Sequence, residues 1–220
     1  MSLIIQDRNI QGIIFDMDGT MIDNMMVHHR AWQKKLAEYG QVLSLNEVKE
    51  RIHGVNEEIL EREFGDQFTP EKRRQIAAEK EATYREIYRP ELQLISGLTD
   101  FLDRLDKEGI PYGIGTAAPG ENANFVLDEL QLRDRFKTMI HAGHVTKGKP
   151  NPEVFEKAAN AMQVSLQNCI VFEDSPTGAE AADRGGALSV ILTTTHLPEE
   201  FAHLSNIIQF IDNYTGLNIF

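Results

Sequence analysis

The sequence is poor in three things, and each shortage excludes a class of protein. It has a single cysteine, Cys169, in 220 residues. One thiol cannot close an internal disulfide, so a buried core rather than covalent staples must hold the fold. Cys169 opens the apolar run Cys169-Ile170-Val171-Phe172, which marks it as a small core residue rather than a nucleophile. No apolar stretch approaches the roughly 20 residues that a membrane-crossing helix needs. Met1 to Asn9 also lacks the basic start and long apolar run of a signal peptide. A cytoplasmic chain with no membrane partner is the expectation. Positive charge is the third shortage: Lys+Arg number 22 against 34 Asp+Glu, a formal net charge of −12. Such a surface repels a phosphate backbone, so no nucleic-acid partner is expected. The same field repels a small phosphorylated molecule. A phosphate site here has to supply its own positive charge, from a metal ion or a few lysines. Internal repeats and low-complexity segments are absent too, which excludes solenoids and linker-rich architectures.

What is present is an ordinary globular balance, 41% hydrophobic and 25% charged. Five short apolar runs stand out: Ile13–Phe15, Tyr112–Gly115, Thr138–Ile140, Cys169–Phe172 and Leu188–Leu192. Runs apolar at successive positions suit strands buried on both faces. Helical spacing fills the gaps between most of them: Leu98, Phe101, Leu102 and Leu105; Phe125 to Leu130; Val154 to Met162 after Pro152; and Ala179 and Ala182 after Pro176. Strands alternating with helices predict an α/β fold, a Rossmann-like parallel sheet with right-handed crossovers. One stretch breaks the alternation. From about Asn24 to Ser96 no strand pattern occurs, while Met25, His29, Trp32, Leu36 and Tyr39 keep helical spacing and Glu71 to Tyr88 favours helix. The expected organisation is a core of residues 1–24 and 96–220 with a helical cap, residues 25–95, inserted after the first strand. An insert held by two adjacent linkers can move as a hinged lid.

Open parallel sheets bind ligands beyond the carboxyl ends of their strands. Three of the runs end there in polar residues, at Asp16, Thr116 and Glu173-Asp174, and Lys149 lies in the loop after a fourth. Asp16 and Asp174 are hard oxygen ligands suited to Mg²⁺, and Glu173 could bind through water or position the ion. Lys149 adds the positive charge the composition otherwise lacks. Thr116 offers a hydroxyl and a backbone N–H to phosphoryl oxygens. A carboxylate such as Asp16 can attack phosphorus to give an acyl phosphate. Asp18, two residues on, could protonate the leaving oxygen and later deprotonate the incoming one, with Gly19 permitting a tight turn. A lone Asp-x-Asp is common on surfaces, and a lone lysine is most often solvated. The ordered set, each member at a strand end or its loop, is what carries the reading.

The ordered set resembles the haloacid dehalogenase superfamily, in the subgroup with a helical cap after the first strand. Phe15-Asp16-Met17-Asp18-Gly19-Thr20, Thr116, Lys149-Pro150-Asn151-Pro152 and Phe172-Glu173-Asp174-Ser175 with Gly178 match its four motifs in order, across essentially the whole chain. The resemblance implies Mg²⁺ held by Asp16, Asp18 through its backbone carbonyl, Glu173 and Asp174. It makes Asp16 the nucleophile and Asp18 the acid/base, with Thr116 and Lys149 beside them. Dehalogenases lack the second aspartate, so Asp18 favours phosphoryl transfer. Within the capped subgroup the chain is similar to β-phosphoglucomutases and related phosphatases, through His28 to Trp32 and Gly54-Val55. That similarity implies substrate contacts at His28, Lys80, Gly54 and Ala117. It also shows a departure: Glu57 stands where the mutases place an arginine for the substrate's second phosphate. A carboxylate there would repel that phosphate.

The expectation is a phosphatase of a small phosphorylated metabolite, first of all a sugar phosphate, acting as a monomer or weak homodimer. A sugar phosphomutase and a pyrophosphatase are the alternative enzymes. A phospho-aspartate receiver module is the non-enzymatic one, disfavoured by the long insert and by Asp18.

Overall fold

A computed structural model describes residues 3–5 and 7–219. A short antiparallel hairpin comes first, β1 (Leu3–Ile5) and β2 (Arg8–Ile10), with Leu3 opposite Ile10. Next come β3 (Gly12–Phe15) and four helices: α1 (Met25–Glu38), α2 (Leu45–Arg51), α3 (Asn56–Phe64) and α4 (Pro70–Tyr88). Helices and strands then alternate: α5 (Leu98–Glu108), β4 (Tyr112–Gly115), α6 (Gly120–Glu129), β5 (Met139–Ile140), α7 (Glu153–Ala161), β6 (Cys169–Glu173), α8 (Pro176–Arg184), β7 (Leu188–Leu192) and β8 (Ile207–Ile211). The hairpin and β8 are additions to the five strands the sequence pattern predicts. β8 escapes that pattern because it is an edge strand with no buried residue and with the exposed, polar Gln209 at its centre.

By contact the chain divides into two compact units, residues 1–23 with 93–220, and residues 24–92. Leu94 and Ile95 go with the first unit for a local reason: Ile22 bridges Leu94, and the Ile95 N–H donates to the Met21 carbonyl at 2.9 Å.

The first unit is a six-stranded sheet in the order β5-β4-β3-β6-β7-β8, with every pairing parallel. β3, β4 and β6 are buried along their whole length, which is why their sequences show no in–out alternation. Phe15 lies at the centre of an aromatic cluster with Phe101, Tyr112, Phe136, Phe172 and Tyr214, ring centroids 5.1 to 6.4 Å away. Ile14, Val171 and Cys169 point the opposite way into a layer built with Phe155, Ala158, Ala181 and Ala182. Burial pushes the Cys169 thiol up to about 12, the behaviour of an inert core residue. The strand order matters most for function. The chain runs outward through β4 and β5, then returns to place β6 against the other side of β3. The direction reverses between β3 and β6, which is the topological switch point where such sheets bind ligands.

The second unit has its own core of Trp32, Leu36, Val48, Ile52, Ile59, Leu60, Phe64 and Ile76. Ser44 and Glu47 form a reciprocal capping box on α2, and Thr69 caps α4 ahead of Pro70 in its first turn. Gly54, at φ +102°, turns the chain between α2 and α3. No strand occurs between residues 24 and 92, as the sequence pattern predicts.

Candidate active site

β3 and β6 pair Phe15 with Phe172, and the Asp16 N–H donates to the Phe172 carbonyl at 2.9 Å. That register brings Asp16 level with Glu173 and Asp174 at the switch point. Phe15 also pairs with Ile114 on β4, so Thr116 leaves its strand at the same edge. Lys149 arrives from the loop after β5. That loop is tied down by the first residue of α7: Glu153 Oε2 accepts from the Thr146 and Lys147 N–H groups at 3.0 and 2.9 Å. The hydrogen bond from Lys157 and those loop donors together push the Glu153 carboxyl down to about 2.

The Lys149 ammonium lies 2.6 Å from Asp16 Oδ1 and 2.6 Å from Glu173 Oε1, and 4.6 Å from the Phe155 ring centroid. All three polar side chains are at most 8% exposed. Burial alone would lower the lysine's pKa; the Asp16 and Glu173 carboxylates outweigh burial and hold it above the usual lysine range. Glu173 is fixed at both oxygens. Its Oε2 accepts from the N–H groups of Asp174 and Ser175 at 2.9 and 2.8 Å and from the Ser175 hydroxyl at 2.9 Å. Its carboxyl lies below the ordinary range despite burial, because Lys149 and these donors favour the anion.

Two glycines make this packing feasible. A Cβ on Gly178 would stand 1.7 Å from Glu173 Oε1, and one on Gly19, whose φ is +74°, would stand 2.2 Å from Asp174 Oδ2. Gly178→Ala would add about 1 kcal/mol of helix propensity elsewhere. Here the clash with a pinned carboxylate wins, and we expect a net destabilisation of about 1–3 kcal/mol, read as a lower midpoint in urea.

Four carboxylates gather at this edge against one ammonium. Asp16 is pushed up to about 7, first by burial and then by Glu173 and Asp18, against the pull of Lys149. Asp174 is pushed well above its ordinary value, again by burial first and then by Glu173 and Asp16. Asp16, Glu173 and Asp174 each offer an oxygen within 4.8 Å of the others. This donor set, all hard oxygen and under-compensated in charge, fits a divalent cation of the Mg²⁺ kind.

Thr116 is buried, and its hydroxyl oxygen accepts from the Ala118 N–H at 3.0 Å, which leaves the hydroxyl proton to donate. Its backbone N–H corrects the sequence expectation. That group is not available to a phosphoryl oxygen, because it donates to the Ile140 carbonyl at 2.9 Å within the sheet. Ala117 follows at the exposed rim. Asp18 is half-buried in a turn whose Thr20, Met21 and Ile22 N–H groups all point at the Met17 carbonyl.

His28 and Lys80 meet inside the helical unit. Lys80 Nζ lies 2.8 Å from His28 Nδ1 and 2.9 Å from Glu81 Oε1, and 5.4 Å from the Trp32 ring centroid. The His28 ring stacks on Tyr84 at 4.0 Å and 3°. Burial, helped by the Lys80 charge and opposed by Glu81, pushes His28 down to about 3, so the ring is neutral and Nδ1 accepts from the ammonium. Gly54 is exposed between α2 and α3. Glu57 is half-exposed in the first turn of α3, 4.0 Å from Arg74.

The sequence pattern named Thr20 only as part of a motif, with no role, and did not single out Thr194, Thr195 or His196. Thr20 and Thr195 both direct hydroxyls at Asp174, and Thr194 donates to the Gly19 carbonyl at 2.5 Å. The signal was available: Thr193-Thr194-Thr195-His196 is the polar end of the fifth apolar run, at the edge that singled out Thr116.

A parallel sheet with a carboxylate–lysine–carboxylate cluster at its switch point defines a class of α/β enzyme, and comparison with known proteins identifies which. The model of the haloacid dehalogenase-like hydrolases matches residues 10–186, and the chain belongs to that family. It is 29% identical to the validoxylamine A 7'-phosphate phosphatase of Streptomyces hygroscopicus subsp. limoneus, over 86% of this chain and 88% of that one. It is 30% identical to the β-phosphoglucomutase of Bacillus subtilis, over 82% of each chain. The structure of a family IA, variant 3 hydrolase from Entamoeba histolytica superposes with a TM-score of 0.87, at 26% identity and covering 96% of both chains. Among the described residues, no helix is long and apolar enough to cross a membrane.

Proposed function

We propose that this hydrolase is a Mg²⁺-dependent phosphatase of a small phosphorylated metabolite, working through an aspartyl-phosphate on Asp16. The observation that carries the reading is the Lys149 ammonium, held 2.6 Å from both Asp16 and Glu173 at the sheet's switch point. Asp16, Asp174 and the Asp18 backbone carbonyl would hold the cation, with Glu173 joining them directly or through water while it braces Lys149. When bound, Mg²⁺ offsets the charge on the transferring phosphoryl group and on the carboxylate that must approach it.

The chain's own residues do the rest. The Asp16 carboxylate attacks phosphorus, and the ester oxygen leaves with a proton from Asp18. Asp18 then takes a proton from the water that opens the acyl phosphate. Lys149 and the Thr116 hydroxyl donate to phosphoryl oxygens as negative charge builds on them. Residues 24–92 are proposed as the lid, on the ground that the chain passes to them only at 23–24 and back at 92–93. His28, Lys80 and Gly54 on that unit, and Ala117 on the core, are the proposed substrate contacts.

A sugar phosphomutase is the second reading, supported by the Bacillus subtilis relative. Glu57 weighs against it, an anion at the position where the resemblance to the mutases implies an arginine for the second phosphate. The deciding measurement is a screen of phosphorylated metabolites, including β-glucose 1-phosphate and pyrophosphate, with released phosphate and isomerised product both followed. We expect phosphate release from a monophosphate ester without isomerisation. An isomer formed with little free phosphate would overturn the phosphatase reading in favour of the mutase, and turnover of pyrophosphate alone would make the substrate an anhydride.

A further inference from the structure

We propose that Thr195 is a positioning residue for Asp174, with its hydroxyl proton directed by His196, so that the loop after β7 sets cation affinity. The inference rests on the reading that Asp174 holds a divalent cation, and extends it to residues outside the four motifs.

The argument begins with donor counting. Thr195 has one hydroxyl proton and three acceptors within reach: Asp174 Oδ2, the Asp174 backbone carbonyl at 3.1 Å, and His196 Nδ1 at 2.9 Å. His196 Nδ1 also lies 3.1 Å from that same Asp174 carbonyl. A carbonyl oxygen can only accept. Two lone pairs would repel at that distance, so Nδ1 must carry the hydrogen. An Nδ1–H that donates to the carbonyl, and alongside it to the Thr195 oxygen, removes His196 as a competitor for the threonine proton. Of the two acceptors left, Asp174 Oδ2 is the closer and carries the charge, so the hydroxyl proton goes to it rather than to the backbone carbonyl.

This commitment has a consequence at the carboxylate. Oδ1 faces the Thr20 hydroxyl at 3.4 Å, and Oδ2 is held by Thr195 against the backbone of Gly19, whose added Cβ would come within 2.2 Å of it. The carboxylate plane is fixed, and with it the direction of the lone pairs left for a cation. The neighbouring threonines serve the same end. Thr194 donates to the Gly19 carbonyl at 2.5 Å, gripping the turn that follows Asp16, and Thr193 donates to Asp212 Oδ1 at 2.6 Å, anchoring the loop to the end of β8. Thr194 and Thr195 link the loop to the two halves of the site while Thr193 anchors it to β8, and Thr195 is the one that touches a proposed ligand. Groups that orient a metal ligand typically contribute about 10–100-fold in affinity.

The test is an Mg²⁺ titration of the whole chain, read by the thermal unfolding midpoint and by phosphate release. Thr195→Val keeps the shape and removes the hydroxyl. We expect it to raise the half-saturating Mg²⁺ concentration about 10-fold or more in both readouts. At saturating Mg²⁺, turnover should stay within about threefold, since the hydroxyl acts on the ligand rather than on the reacting atoms. Thr195→Ser should restore wild-type Mg²⁺ dependence. His196→Leu should shift it in the same direction as valine, and His196→Asn, which keeps a donor near the Nδ1 position, should shift it less. An unchanged Mg²⁺ midpoint in a folded Thr195→Val protein would overturn the inference, as would a serine variant as impaired as the valine one. A wild-type protein with no Mg²⁺ response at all is a different result: the metal-dependent reading itself then falls, and this inference falls with it.

Discussion

Asp16→Asn should cut Mg²⁺-dependent phosphate release by at least about 10³-fold on every substrate the wild type accepts, because the amide cannot attack phosphorus. The fold should survive. Asparagine is nearly isosteric, its amide can still accept from Lys149 through the carbonyl oxygen, and the substitution removes one of four crowded carboxylates. Burial and the carboxylates around it push Asp16 up to about 7, so its anionic form is the strained one in the unliganded protein. Loss of that anion should leave the thermal midpoint unchanged or raise it. Activity and stability therefore part company in this variant, and a steady-state phosphate assay beside a thermal melt reads both. Retained activity in Asp16→Asn would end the aspartyl-phosphate mechanism whatever the substrate proves to be.

Lys149→Met should do the reverse to stability. Asp16 and Glu173 would face each other across the site without the ammonium that lies 2.6 Å from each. Removing one member of a buried charge cluster typically costs about 3–5 kcal/mol, which for a chain of this length corresponds to a midpoint lower by about 10 °C. Phosphate release should fall by at least about 10²-fold, as for the loss of an electrostatic donor to a developing anion. The double variant Lys149→Met with Asp16→Asn separates the two effects. It should regain part of the lost stability, because the repulsion has been relieved, and none of the activity. A double variant no more stable than Lys149→Met alone would show that the lysine's packing on Phe155, and not its charge, is what the fold needs.

The sequence was informative where local pattern and global position agree. β3, β4, β6 and β7 are short, predominantly apolar and end at or before polar residues, so both the strands and the residues they deliver could be read. The helices between residues 24 and 92 declared themselves by 3.6-residue spacing and by the lack of any strand pattern. What could not be read was everything that depends on which oxygen meets which donor. Thr116 looked like two donors, but the sheet takes its N–H. Lys80 has the surroundings of a solvated residue in sequence, in a charged helix, yet it is buried against His28, Glu81 and Trp32. Glu173 and Asp174 are adjacent acids with opposite electrostatic fates, one stabilised as an anion by Lys149 and its own loop, the other pushed towards protonation. Composition and spacing carry no trace of that difference, because it comes from residues brought in by other strands. Thr195 is the intermediate case, visible by position but not by motif.

The strand order also bears on how the protein comes to exist. β3 precedes both of its sheet neighbours in the chain, since β4 and β6 begin only at Tyr112 and Cys169. Residues 24–92 form a contiguous unit with its own core and can fold while β3 still waits for both partners. Until β6 emerges, Asp16 has no Glu173 or Asp174 beside it and the proposed cation site does not exist. On the proposed mechanism, Asp16 is therefore made well before the residues that would let it act, and chemistry would switch on only when the central pair of strands closes.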